Sequence, residues 1–491
     1  MFEYVSPESV GISSEKLLEI LKEYEEIGLC THSIIMARGN KIFTEMYHKP
    51  FHKDYMHRMY SVTKSFVGVA IGLCEEEGLL SLDDKLIKFF PEYVTDDLNE
   101  NIREQTIRDM LTMSTSSLET IYWFSAKTDD RASLYFKFDH PRIPGTTYQY
   151  DSPGSFMLGA IVEKLTGMTF LEYLKDRFLK KIGFSEESYC LKCPGGYAWA
   201  DSAVLCSSMD LMTFARFVMN KGEWDGVRYM NKEYLEAATS KQVDNCIDSV
   251  DSGYGTYGYG YQIWKTPNDG FAFVGMGDQF AICDPEHDFI FILNSDNQFS
   301  GQSRAMIYHM VYKHILPNLN EPLPENEEAK KKLDEYVNSR ELYYLRGRTE
   351  NPFRDEIDGV IYRLDTNPMG ISYVRFDFEG DKGIFNYENE QGEKKIAFGF
   401  GHNEFGKFQQ TGYSDMIGTY EAKGNMYKCC ASAEWSEEKK LKLKVQIIDK
   451  YFGNSTMTFS FKDDRIAVFM KSNAEAFLRE YSGYANGRRE K

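Results

Sequence analysis

Apolar and polar positions change their rhythm several times along the chain. Ser13-Ser-Glu-Lys-Leu-Leu-Glu-Ile-Leu-Lys spaces its apolar residues by three and four behind a capping serine, which predicts an amphipathic helix. His32 to Glu45 alternates around Gly39-Asn40 and predicts a hairpin. The window Met59-Tyr-Ser-Val-Thr-Lys-Ser-Phe-Val-Gly-Val-Ala-Ile-Gly-Leu73 follows neither rule. It predicts a helix from Ser61 to about Glu77, ended by Gly78 and apolar on nearly every side, hence buried. Further helices are expected near Ser155–Leu165 and Ser208–Lys221. Strands are expected near Tyr257–Trp264, Phe271–Gly275, Phe280–Cys283 and Phe289–Asn294. Strands at both ends with helices between them predict a sheet that closes late strands against early ones.

The grammar then changes. Leu316-Pro-Asn-Leu-Asn-Glu-Pro-Leu-Pro is rich in breakers, and Glu325 to Arg340 reads as a charged helix. From Leu345 onward the period is two. Runs beginning at Tyr373, Gly383, Lys395, Lys442, Thr456 and Arg465 are separated by turn residues. This predicts an antiparallel barrel or sandwich. The expected organisation is an α+β domain over 1–318, a helical linker over 319–344 and an all-β domain over 345–491.

Composition narrows the functions. A chain of 491 residues exceeds one ordinary core. With 42% hydrophobic and 27% charged residues it reads as soluble and globular. A formal charge of −18 argues against nucleic acid or an anionic membrane as partner, since both demand basic patches. No apolar run of about 18 residues predicts a membrane span. The N-terminal stretch carries acids where a signal peptide needs bases, so the expected location is cytoplasmic. Nine cysteines are scattered. Cys190-Leu-Lys-Cys193 lacks the second pair of a zinc ribbon, so reduced structural thiols and no metal are expected.

Ser-x-x-Lys occurs at Ser13, Ser61 and Ser436. The first and last lie among charges and read as surface. Only Ser61 and Lys64 open an apolar helix, where the i, i+3 spacing puts hydroxyl and amine on one face. A helix N-terminus offers free N–H groups and partial positive charge, and an amine in that field and in apolar surroundings loses proton affinity. A neutral amine beside a hydroxyl activates it as a nucleophile. Taken alone, the window serves equally as a serine cap with an exposed lysine.

A second stretch adds to it. Pro144-Gly-Thr-Thr-Tyr-Gln-Tyr150-Asp-Ser152-Pro-Gly-Ser places a tyrosine just before another apolar helix. With Ser61-Val-Thr-Lys64 and Tyr150-Asp-Ser152, the chain resembles the serine β-lactamase-like hydrolases: class C β-lactamases, DD-peptidases and related esterases and amide hydrolases. Gly78-Leu-Leu-Ser-Leu-Asp-Asp-Lys, Thr106-Ile-Arg-Asp-Met-Leu, Ser207-Ser-Met-Asp-Leu and Asp284-Pro-Glu resemble further family phrases, so the likeness spans about residues 7–315. It implies a β-lactamase/transpeptidase-like antiparallel sheet flanked by helices. It also implies Ser61 as nucleophile, Lys64 and Tyr150 as its proton acceptors, and no cofactor.

The family's third motif, a cation followed by x-Gly on a strand, departs here to Phe273-Val274-Gly275. Ser152 replaces the more usual Asn. Both changes point from β-lactams toward a small neutral ester or amide. By the same resemblance, Ser152, Phe273, Gly275 and Met276 are the expected substrate-binding positions. The N–H groups of Ser61 and Met276 would form the oxyanion hole.

The resemblance implies a serine hydrolase that forms an acyl-enzyme on a small ester or amide, as an esterase/amidase or a D-amino acid peptidase-like enzyme; transacylase or β-lactamase activity, or non-catalytic binding on the same fold, are the alternatives. The C-terminal domain would shape the pocket entrance or make a homo-oligomer. No Gly-x-Ser-x-Gly elbow, phosphate loop or His-Glu-x-x-His is present. His52 and His57 read as polar surface groups, Met110 and Met113 as core. Trp264, Gln279 and the trio Tyr122, Trp123, Phe124 are further candidates for the pocket wall.

Overall fold

The computed structural model describes residues 2–118, 130–193, 195–245, 256–298, 300–410, 427–474 and 478–490. Tyr122, Trp123 and Phe124 lie outside them. The chain divides into two compact units, Met1–Glu341 and Leu342–Lys491.

Among the described residues, the first unit is built on a seven-stranded sheet. Its strands are β1 (Glu3–Tyr4), β2 (Thr31–Arg38), β3 (Lys41–Tyr47), β4 (Trp264–Lys265), β5 (Phe271–Gly275), β6 (Gln279–Asp284) and β7 (Phe289–Ser295). The order is β1-β3-β2-β7-β6-β5-β4. The late strand β7 pairs antiparallel with the early β2, Ile292 opposite Ile35. β7 is buried throughout because both faces of the sheet are covered, so its sequence is a continuous apolar run rather than an alternation. On one face α1 (Ser14–Glu26) sets Leu17, Ile20, Leu21 and Tyr24 against Ile34, Met36, Val274 and Phe291.

The helical part lies on the sheet's other face. Its centre is α2 (Thr63–Glu76), in which every residue from Thr63 to Cys74 is buried. Around it are α3 (Ser152–Thr166) and α4 (Ser208–Met219). Phe214 of α4 stacks on Phe66 of α2 at 3.8 Å between ring centroids and meets Phe273 of β5 at 5.4 Å. An aromatic column therefore joins α2 to the sheet.

Two expectations are corrected. The strand expected over Tyr257–Trp264 is reduced to Trp264–Lys265. Gln262, at φ +60°, breaks the extended path. Its N–H donates to Leu111 O at 2.9 Å, its Nε2 to Met110 O at 2.9 Å, and its carbonyl accepts from Ser65 Oγ at 2.8 Å. Those backbone groups tie helices together instead of forming a ladder. The helix of the expected linker, α5 (Glu327–Asn338), belongs to the first unit. It buries Ala329 and Leu333, and Tyr336 donates to Glu25 of α1 at 2.5 Å.

Among the described residues, the second unit is a closed nine-strand barrel with one further strand along its seam. In chain order the strands are β8 (Ile361–Leu364), β9 (Tyr373–Glu379), β10 (Lys382–Asn389), β11 (Gly392–Phe400), β12 (Glu404–Phe408), β13 (Tyr427–Glu437), β14 (Lys440–Ile448), β15 (Phe452–Lys462), β16 (Arg465–Asn473) and β17 (Gly483–Arg489). Neighbours pair antiparallel from β11 back to β8 and from β17 back to β13. β8–β17 joins the two runs, and a short parallel pair, β11–β13, closes the ring. Phe376, Phe385, Leu443, Met457 and Phe459 are among its buried residues.

Candidate active site

Ser61 stands in a single 3₁₀ turn, Tyr60–Val62, that runs into α2. Tyr60, immediately before it, has φ +46°, a conformation bulky side chains rarely adopt. Such strain costs about 1–3 kcal/mol and persists where the surroundings over-determine it. Here the Arg58 guanidinium packs 4.5 Å from the Tyr60 ring and 4.6 Å from the Trp199 ring. Its Nε and Nη2 donate to Ser202 O and Oγ at 3.2 and 3.1 Å. No side chain caps the start of α2. The 3₁₀ turn runs straight into it, with Val62 N–H on Met59 O at 3.1 Å and Thr63 N–H on Tyr60 O, so the positive end of the helix dipole falls beside Ser61.

Lys64 is 1% exposed. Its Nζ lies 2.9 Å from Ser61 Oγ, donates to the carbonyl of Asp201 at 2.6 Å, and sits 5.0 Å from the Tyr150 ring centroid. A buried lysine nitrogen requires partners of this kind, because an unsatisfied polar group in the interior is costly. The Asp201 carboxyl is also buried, and burial raises its pKa against the pull of Lys64 and Arg131.

Tyr150 precedes α3 and stacks on Trp264 at 5.8 Å. Tyr148, Tyr259 and Met113 complete the apolar cluster beneath it. Asp151 caps α3: its carboxylate accepts from Gly154 N at 2.9 Å and Thr115 Oγ1 at 2.7 Å. Burial nevertheless lifts this carboxyl to about 6. Ser152 is the first residue of α3 and is buried.

On the sheet side, β5 ends at Gly275. A Cβ there would lie 2.4 Å from Met59 O, so only glycine lets the strand approach the segment before Ser61 this closely. Met276 opens the turn to β6 and is half-buried. Phe273 is fully buried in the aromatic column. The third-motif position therefore carries an apolar core side chain.

The structure thus groups Ser61, Lys64 and Tyr150, and brings Gly275 against Met59. Trp264 joins the site through Tyr150. Gln279 lies under the Met276 turn, its Nε2 donating to Met276 O at 3.0 Å. His57 is buried, not on the surface. It bonds His32 at 2.8 Å, and burial pushes its imidazole down to about 3, so it is neutral. Met110 and Met113 are fully buried. Cys190 and Cys193 are free thiols, Cys193 Sγ accepting from Arg131 Nη1 at 3.1 Å. Among the described residues there is no group of three or more His, Cys, Asp or Glu that could hold a metal. No described helix is long and apolar enough to cross a membrane.

Sequence reasoning missed Asp201, which acts through its backbone carbonyl and so leaves no side-chain signal. It also missed Asp151, although an Asp before Ser-Pro at a helix start is a legible cap.

The chain is similar to several known proteins. A 6-aminohexanoate-dimer hydrolase of Paenarthrobacter ureafaciens is 23% identical over 286 residues, which are 54% of this chain and 72% of that protein. A lovastatin esterase of Penicillium rubens is 27% identical over 180 residues, 31% of this chain and 44% of the esterase. The solved structure of EstCE1, described as a hydrolase with promiscuous acyltransferase activity, shares the fold. It matches with a TM-score of 0.50 and 13% identity, covering 61% of this chain and 99% of that one. The β-lactamase family model matches residues 31–310, more than half of the chain, and the protein belongs to that family.

Proposed function

We propose that this protein is a serine hydrolase that forms an acyl-enzyme on a small, neutral ester or amide. The observation that carries the reading is the buried Lys64 amine 2.9 Å from Ser61 Oγ, beside Tyr150. Lys64 and Tyr150 together accept the Ser61 proton. The oxygen attacks the acyl carbonyl, whose developing oxyanion is received by the N–H groups of Ser61 and Met276. Collapse expels the alcohol or amine, which takes the proton. Water, activated through Tyr150, then cleaves the ester to Ser61 and releases the acid.

Substrate neutrality rests on the third motif. Phe273 offers no charge to a substrate carboxylate, and its side chain is committed to the core. Relatives named for an amide substrate and for an ester substrate support acyl transfer to water in both classes. The test is turnover of paired p-nitrophenyl esters that differ only in a carboxylate on the acyl chain. The neutral ester should turn over about 10-fold faster or more, since a buried unpaired charge is costly to accommodate. Preference for the anionic ester would overturn the substrate class, and turnover of neither would overturn the hydrolase.

A further inference from the structure

The turn that carries Met276 is held by side chains that the chemistry above does not use. Gln279 is fully buried. Its Nε2 donates to Met276 O at 3.0 Å and to Ser295 O at 2.7 Å. Its Oε1 accepts from Ser295 N and from Asn294 Nδ2, both at 3.2 Å. Both donors and both acceptor positions of the carboxamide are therefore filled. The remaining carbonyls of the turn are held as well. Gly277 O accepts from Ser295 Oγ at 2.6 Å and Asn297 N at 3.1 Å, and Asp278 O accepts from Ser295 Oγ at 3.0 Å. The turn needs this restraint, because Gly277 and Asp278 both have positive φ, +75° and +66°.

The same network reaches the nucleophile's side. Asn294 Oδ1 accepts from Ser208 Oγ at 2.7 Å and Ser33 Oγ at 3.2 Å, and its Nδ2 lies 3.6 Å from Met59 Sδ. Met59 is the residue whose carbonyl Gly275 approaches. One buried polar cluster thus touches both the segment leading to Ser61 and the turn bearing Met276.

From this geometry we propose that Gln279 is a positioning residue for oxyanion stabilisation. It acts through the Met276 carbonyl to fix the residue whose N–H receives the oxyanion, and through Asn294 to fix that turn relative to Met59. The proposal rests on the hydrolase reading. Gln279 itself touches neither substrate nor reacting atoms. A turn free to move by about 1 Å would keep substrate binding and lose transition-state binding, an effect worth about 100-fold in rate.

The test compares Gln279→Met, which keeps bulk and apolar fit, and Gln279→Glu, which keeps shape and acceptors but loses both donors. Each is measured in the full-length protein on an ester and on its thionoester. Sulfur is a poor hydrogen-bond acceptor, so the oxygen-to-sulfur rate ratio reports the oxyanion donors and is insensitive to the fraction of folded enzyme. In the wild type the ester should react much faster. In both variants kcat on the ester should fall by about 10- to 100-fold with little change in KM, and the ratio should fall by about 10-fold or more. An unchanged ratio in either soluble variant, or a rise in KM alone, would overturn the positioning role. Wild-type protein that reacts with neither substrate would instead overturn the hydrolase reading beneath it.

Discussion

At Ser13 the hydroxyl oxygen accepts the backbone N–H of Lys16 at 3.1 Å and caps α1, while the Lys16 side chain reaches Glu19 at 3.1 Å on the surface. At Ser61 the hydroxyl caps nothing, and the side chain of the lysine three residues on comes to 2.9 Å from it. The spacing is identical. The difference lies in the helices. α1 has an apolar stripe and a polar face, so its lysine has water to go to. α2 is buried through its first three turns, so among the described residues Lys64 turns to Ser61, the Asp201 carbonyl and the Tyr150 ring. A serine oxygen spent on its own backbone is a structural group. The Ser61 oxygen instead faces a buried lysine nitrogen, the arrangement on which the proposed chemistry rests.

Mutation should break this contrast at predictable places. Ser61→Ala should lower ester turnover by at least about 10⁴-fold with no loss of folding, measured by p-nitrophenyl ester rates beside thermal melts. Lys64→Met should cost about 10³-fold or more in the same assay, since it removes the proton acceptor and leaves the apolar helix intact. Gly275→Ala places a carbon 2.4 Å from Met59 O, and should lower kcat by about 100-fold as β5 is pushed from the turn that carries Ser61.

Asp151 tests the electrostatics around Tyr150. Its carboxyl is raised from 3.8 to about 6 in the fold. The stability tied to its protonated form is therefore full below pH 3.8 and lost as pH climbs through about 6. Asp151→Asn removes that slope. Its stability relative to wild type should rise by about 2 kcal/mol between pH 4 and 7, measured by urea unfolding. A difference that stays flat with pH would show that Asp151 is not held in a desolvated site. The smallest effect belongs to the surface quartet: Ser13→Ala should cost about 1 kcal/mol of stability and leave turnover unchanged.

Much of the fold was legible. The apolar window after Ser61, the Gly39-Asn40 hairpin and the period-two runs of the second unit all carry strong local patterns, and each forms where those patterns put it. The barrel's closing strands were not legible. β8 has four residues, and β17 reads Gly-Tyr-Ala-Asn-Gly-Arg-Arg, which lacks an apolar alternation because its register comes from its neighbours β8 and β16. The Tyr257–Trp264 run looked like a strand because its aromatics suit one. The positive φ of Gln262 and its bonds to Leu111, Met110 and Ser65 are tertiary facts that no local pattern announces. In the site, the approach of Lys64 to Ser61 was readable from their spacing. The Asp201 carbonyl was not, because it enters through the backbone, and Gln279, expected at the pocket wall, is fully buried under the Met276 turn.

The most direct test is the intact mass of the full-length protein after exposure to a fluorophosphonate, taken on wild type, Ser61→Ala and Ser13→Ala. One adduct on wild type and on Ser13→Ala, absent from Ser61→Ala, is the expected result. An adduct that survives Ser61→Ala, or no adduct on wild type at any pH from about 6 to 9, would contradict Ser61 as the nucleophile.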